Sequence, residues 1–271
     1  MGRVKWDENG EREYETGVDR GVLYPLVSNA YSKGYAWNGF SSVSESPSGG
    51  EATDVYADNM LYLTMMSAEK FGGTIEAYMS PEEFDQCDGT AEVAPGVMIE
   101  QQNRKQFGFT YRTLIGNDTD GNEFGYKIHL VWGAKASPSE KSRSTVNDSP
   151  EATTLSWEFN TTPTPINAVD PATGKPYKPT SHMFIKSTGV SASKLRAFED
   201  ILYGKDATYA ATSDTSFESG KDYYELVNGK YVVTTDTSMD SEKTYYEQTA
   251  AAVDARLPLP DEIIAFFNEQ G

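Results

Sequence analysis

Two histidines, one cysteine and 41 carboxylates are among the side chains of this 271-residue chain that could carry proton transfer, metal ligation or nucleophilic attack. A Ser-His-Asp triad or a histidine-based zinc site would have to use His129, within a strand-like run, or His182, near proline-rich chain. Nothing near either in sequence supports such a site, so both are read as structural or surface residues. Cys87 stands alone and can form neither an intrachain disulfide nor a cysteine metal cluster. Asp118–Glu123 reads DTDGNE, but a calcium loop needs Gly at its sixth position and Glu at its twelfth. Gly121 falls fourth and Glu123 sixth, which suits a hairpin turn. Ser48-Gly49-Gly50 could cradle a phosphate, yet no Lys follows and the flanks are acidic, so an anion would be repelled. Carboxylate pairs at glycosidase spacing are inevitable at this acid content and carry little weight. The expectation is a non-enzyme without cofactor or metal, whose function is assembly.

The elements that would position these residues are mostly strands. Phe107–Ile115 alternates with Phe107, Phe109, Tyr111 and Ile115 on one face, and Tyr126–Trp132 with Tyr126, Ile128, Leu130 and Trp132. Leu155, Trp157 and Phe159 alternate in the same way, as does Thr74–Met79. This period is that of half-buried antiparallel strands. Asp120-Gly121 marks the tip of a hairpin between the first two. Ser191–Gly204 is the best helix, with Leu195, Phe198 and Leu202 on one face and Gly204 as terminator. A second, short helix is expected from Pro260 to Asn268. Asn59–Ala68 is ambiguous between helix and strand. Residues 147–151 and the 161–180 stretch, which holds five prolines, read as loops. The fold class is mainly β, an antiparallel sandwich or barrel with one flanking helix at about 191–203.

Residues 209–225 and 231–247 align without gaps at a period of 22, sharing Asp-Thr-Ser, then Lys, then Tyr-Tyr-Glu. Two copies are too few for a solenoid. They read as a pair of small β units with a tight Asn228-Gly229 turn between them. The expected organisation is one β domain over 1–206 and 253–271, with 207–252 inserted.

Tyrosine is abundant, with 17 residues, which argues against disorder and for half-buried positions and interfaces. A net charge of −18 is wrong for gripping a phosphate backbone. The polar opening shows no signal-peptide pattern, Trp6 stands where a myristoylation motif wants Ser or Thr, and no apolar run approaches ~18 residues. A soluble protein made in the cytoplasm is expected.

Three strings then acquire meaning together: AWNGFSSVSESPSGGEATDVYADN over 36–59, FGGTIEAYMSPEEF over 71–84 followed by Cys87-Asp88-Gly89, and ARLPLPDEII over 255–264 after Leu202-Tyr203-Gly204. In order and content they resemble the major tail protein of long-tailed bacteriophages and related prophages, over roughly 15–205 and 253–271. The repeat at 207–252 departs from that pattern. The resemblance implies a β-sandwich or barrel of tail-tube type, similar in fold to the tube protein of type VI secretion systems. It implies self-assembly into stacked, hexameric rings whose lumen passes DNA without specific binding. It further implies tape-measure, tail-tip and terminator proteins as partners, a place in the virion tail, and assembly in the host cytoplasm. Strong acidity agrees, since like charges repel and DNA would slide without adhering.

The resemblance also implies a long inter-strand loop reaching neighbouring subunits, here residues 46–70. Between Gly34 and Glu69 there is no Lys or Arg. The expected subunit contacts are Trp37, Phe40, Pro47, Tyr56, Met60, Leu61, Tyr62, Met65 and Met66, a composition suited to interface cores. The alternative for 46–70 is closure of the subunit's own core. For the whole chain the alternative is a carbohydrate-binding β-sandwich adhesin, with Tyr223, Tyr224, Tyr245 and Tyr246 as stacking platforms.

Overall fold

The computed structural model describes residues 3–143, 145 and 152–269. The loop expected at 147–151 lies outside them. In chain order come β1 (Tyr14–Pro25), β2 (Tyr35–Trp37), β3 (Phe40–Glu45), β4 (Ala52–Ala57), β5 (Met60–Met66) and β6 (Gly72–Ala77). A short helix α1 (Asp85–Asp88), β7 (Ala91–Ala94), β8 (Val97–Ile99), β9 (Phe107–Asn117), β10 (Gly121–Ala136), β11 (Leu155–Thr161) and β12 (His182–Lys186) follow. Then come α2 (Ala192–Tyr203), β13 (Thr208–Ala211), β14 (Tyr224–Val227), β15 (Lys230–Val233), β16 (Tyr246–Ala250) and α3 (Pro260–Asn268). The protein is mainly β, and its strand pairings are antiparallel.

The main sheet runs β2-β1-β9-β10-β11-β6-β3, with β12 also paired to β10. Its two terminal strands, β2 and β3, are joined by only Asn38 and Gly39. A sheet whose ends meet at one tight turn has to curl on itself, and it does so around Leu23, Phe107, Phe109, Val131, Trp157 and Phe159. β10 makes the curl possible by changing partners along one edge. It pairs with β12 over Lys127–Val131 and with β11 over Ala134–Ala136. The switch is at Gly133, whose φ is +63° and where a Cβ would meet the Thr162 carbonyl oxygen at 2.3 Å, so only glycine fits.

The outer face of the same strands is covered by helices. Val22, Tyr24, Ile128, Leu130 and Trp132 pack against Leu195, Phe198 and Leu202 of α2 and Ile263 of α3. Trp132 Nε1 donates to the Pro258 carbonyl (3.0 Å) and the Tyr24 hydroxyl to that of Leu202 (2.7 Å), so the buried polar ends are satisfied. The central strands are therefore buried on both faces, which period-two alternation did not reveal. The residues alternating with the predicted apolar face of β10, His129 and Val131, lie inside the curled sheet.

Residues 46–70 are not a loop. They form a two-stranded hairpin of β4 and β5, closed by Asp58 and Asn59, whose φ values are +52° and +63°. Two left-handed residues in succession are what a type I′ hairpin turn requires.

The repeated segment makes a four-stranded sheet of its own, ordered β13-β16-β14-β15. This corrects the expectation of two separate units. The opening strand of each copy pairs with the closing strand of the other, and Tyr224 faces Tyr246 at the centre. Within each copy the shared residues act as a staple: the Tyr223 hydroxyl donates to Asp214 and that of Tyr245 to Asp236, both at 2.6 Å. Lys221 and Lys243 pair with the same two carboxylates. The sheet's two ends meet where Lys205 and Val253 exchange backbone hydrogen bonds of 2.9 and 2.8 Å.

Candidate functional site

The hairpin at 46–70 grows directly out of the β3–β6 pair. Glu45 is opposite Gly73, then Ser46 donates to Gly72, and Ser48 and Lys70 bond reciprocally. Gly49, at φ +84°, lets the legs close, since a Cβ there would lie 2.4 Å from the Ala68 carbonyl oxygen. Gly49 thus serves chain approach, while Gly50 supplies a left-handed backbone (φ +72°) with open space around it. Beyond them β4 and β5 pair from Ala52↔Met66 to Ala57↔Met60, and Thr64 Oγ1 donates to Asp54 (2.6 Å).

Every residue of β5 is exposed. The register slips by one residue between Val55 and Tyr56 and leaves Tyr62 as the bulged residue; it puts Leu61 and Met66 on one face with Tyr56, and Met60, Leu63 and Met65 on the other with Val55. An ordinary sheet strand turns apolar residues to a core and polar ones to water. Here both faces are apolar and neither meets a core: Tyr62 and Met66 are each 68% exposed. Pro47 and Tyr56 are exposed as well, so these side chains do not close the subunit's own core.

Two residues of the expected contact set belong elsewhere. Trp37 is 2% exposed, its ring against Phe84 and Trp157 and its Nε1 donating to the Met79 carbonyl at 2.9 Å. Phe40 is half-buried beside it and packs on the inner core. Both are core residues. The tyrosine platform is corrected likewise. Tyr223 and Tyr245 are buried against Phe217, leaving only Tyr224 and Tyr246 on the opposite face, where they cluster with Tyr209 and Tyr231. A further exposed apolar hairpin, β7–β8 with Val93, Val97, Met98 and Ile99, escaped sequence reading. Its signal is the V-A-P-G-V-M-I run around Pro95-Gly96.

At the root of the arm lies a polar cluster that sequence reading also missed. β9 and β10 set Tyr111 opposite His129, and β10 and β12 set Val131 opposite His182, so all these side chains share the inner face. His129 Nδ1 and His182 Nε2 are 3.2 Å apart. Glu45 Oε1 lies 3.6 Å from the first and 3.8 Å from the second, and accepts the Tyr111 hydroxyl at 2.6 Å. The other ring nitrogen of His129 faces Thr113 Oγ1 (3.0 Å) and Glu15 Oε1 (3.4 Å). The two histidines, read from the sequence as structural or surface residues, meet here. They are 53 residues apart in sequence, and only the β10–β12 pairing brings them together.

Burial holds both imidazoles below the ordinary histidine range, against the opposing pull of Glu45, and His182 falls to about 4. Both are therefore neutral near pH 7, with a lone pair to offer. Burial raises the Glu15 carboxyl, but hydrogen bonds from Lys127 and Thr113 outweigh it and leave Glu15 below its usual value. Burial, reinforced by the bond to Glu45, keeps the Tyr111 phenol protonated. A Thr113–His129–Glu45 triad is not formed. Thr113 donates to Glu15, and 3.6 Å between His129 and Glu45 exceeds hydrogen-bond length. Burial pushes the Cys87 thiol to about 12, so it is no nucleophile. Among the described residues, Glu45, His129 and His182 are the group placed to hold a metal ion, and no helix is long and apolar enough to cross a membrane.

Compared with known proteins, the chain matches no family model and no curated protein.

Proposed function

We propose that this chain is a structural subunit of a phage-type tail tube, assembling with copies of itself into stacked rings. The observation that carries the reading is the β4–β5 arm, whose two faces are both apolar and both exposed. An isolated two-stranded hairpin is at best marginally stable in water. One that exposes two Tyr, three Met and two Leu needs a covering surface. A neighbouring copy is the occupant that agrees with the string resemblance at 36–59 and 71–84. In this reading Tyr56, Met60, Leu61, Tyr62, Met65 and Met66 are buried anchors at a subunit contact, and the chain is no enzyme. The partners are further copies and the other tail proteins, the site of action is the virion tail, and the tail-tube type of sandwich is the fold. The charge of −18 favours a conduit over a binder of DNA. The sheet at 207–252 is an inserted decoration, attached through the Lys205–Val253 bridge.

Light scattering and negative-stain microscopy of the purified chain over a concentration series test this. Rings or tubes appearing with concentration are the expected result. A strictly monomeric species throughout, with no association on adding tail-tip components, would overturn it.

A further inference from the structure

We propose that Glu45, His129 and His182 bind a divalent transition metal of the zinc class and thereby fasten the root of the arm to the sheet. Three atoms separated by 3.2, 3.6 and 3.8 Å have an equidistant point about 2 Å from each, and Zn–N and Zn–O bonds are about 2.0–2.2 Å long. Two imidazole nitrogens and one carboxylate oxygen are a borderline set that suits zinc, cobalt, nickel or copper better than calcium or magnesium. With three protein ligands the fourth position is left to water.

A metal-ligating histidine usually donates its other ring N–H to a carboxylate or similar acceptor, which fixes its tautomer. His129 presents Nδ1 to Glu45 and His182, while Nε2 faces Glu15 and Thr113. Glu45 is oriented by Tyr111, and the rings are held in place by stacking: Tyr111 on His129 at 4.5 Å and 3°, Phe71 on His182 at 4.7 Å and 14°. The site is thus preorganised on strands β9, β10 and β12, and open at Glu45, which is 38% exposed.

Position supplies the consequence. Glu45 ends β3 immediately before the arm, and Phe71 follows it immediately. A metal joining Glu45 to β10 and β12 would tie down one leg while Phe71 is pinned on a ligand ring. This holds whether or not the arm engages another copy.

The test uses the untagged full chain, stripped with chelator and titrated with Zn²⁺ by calorimetry and with Co²⁺ by absorption. The chain has only two histidines and one cysteine, buried and inert, so imidazole ligation reports on this site alone. One equivalent is expected to bind, with Co²⁺ giving the visible bands of a four-coordinate N/O site. Zinc at hundredfold excess over its dissociation constant should raise Tm by about 5–10 °C and slow hydrogen exchange at residues 46–50. Glu45→Gln should weaken binding at least tenfold, and His182→Asn should abolish it. Because the Glu45 side chain is partly exposed, Glu45→Gln keeps the test valid if the histidine variant misfolds. Absence of stoichiometric binding, or binding unchanged in folded Glu45→Gln, would overturn the proposal.

Discussion

Ser48 and Lys70 exchange backbone hydrogen bonds of 2.8 and 2.7 Å, so the chain leaves and re-enters the main sheet as a paired ribbon. That pairing carries the β3–β6 register into β4–β5, and it sets which side chains the arm offers and where. The ribbon spends seven consecutive residues, Met60–Met66, on an exposed strand. Such an edge invites pairing or burial by another chain.

Replacing Tyr62 and Met65 together by Asp should leave the fold intact and block self-association. Neither side chain touches the core, so the stability change should stay within about 0.5 kcal/mol. Charges forced into an apolar contact would cost several kcal/mol per interface. Circular dichroism with sedimentation velocity checks both parts; loss of the β signal would assign these residues to the subunit's own stability.

Trp37→Ala should do the opposite, lowering stability by about 3–5 kcal/mol without acting on the contact itself. Trp37 fills the space among Phe40, Phe84 and Trp157 and satisfies the Met79 carbonyl. Denaturant midpoints of Trp37→Ala and the arm double variant, measured side by side, should separate by several-fold in ΔΔG. Equal, small effects would contradict the assignment of Trp37 to the core.

What was legible in the sequence was local. Alternation marked β9 and β10, Asp120-Gly121 their turn, and the Leu195–Phe198–Leu202 spacing the helix at 192–203. The misreadings share a physical origin in contacts between distant segments. Trp37 sits in a three-residue strand whose burial comes from Phe84 and Trp157. The meeting of His129 and His182 depends on β10 changing partners at Gly133, which no local pattern announces. The 22-residue period was visible, but strand exchange between copies was not, because pairing within or across copies fits the same alternation.

That exchange makes the repeated sheet indivisible. Deleting 231–252 alone removes β15 and β16 and leaves β13 and β14 without their partners. Limited proteolysis should then cut the remaining copy at least tenfold faster, since a lone pair of short unpaired strands cannot persist. Replacing all of 207–252 by Asn-Gly should leave the Tm of the main sheet within a few degrees, because Lys205 and Val253 are already paired. Survival of a protected single copy would mean each repeat folds alone.

Asp261, in the first turn of α3, accepts the backbone N–H groups of Asn167 and Ala168 and the Asn167 side-chain amide, at 2.8–3.0 Å. It thereby fastens the proline-rich 161–180 segment to the C-terminal helix. Those hydrogen bonds, led by that from the Asn167 backbone, outweigh desolvation and hold its carboxyl below the usual aspartate value of 3.8. A depressed folded-state pKa means that the unfolded chain binds the proton more readily. The stabilisation is therefore fully present above about pH 4 and is lost as pH falls through the lower folded value. Cleavage of 162–180 by an acid-active protease should rise steeply below pH 4 in the native chain. In Asp261→Ala the same cleavage should already be fast at pH 6 and should change little on acidification. A variant whose protection at pH 6 matches the native chain would show that the segment is held by other contacts.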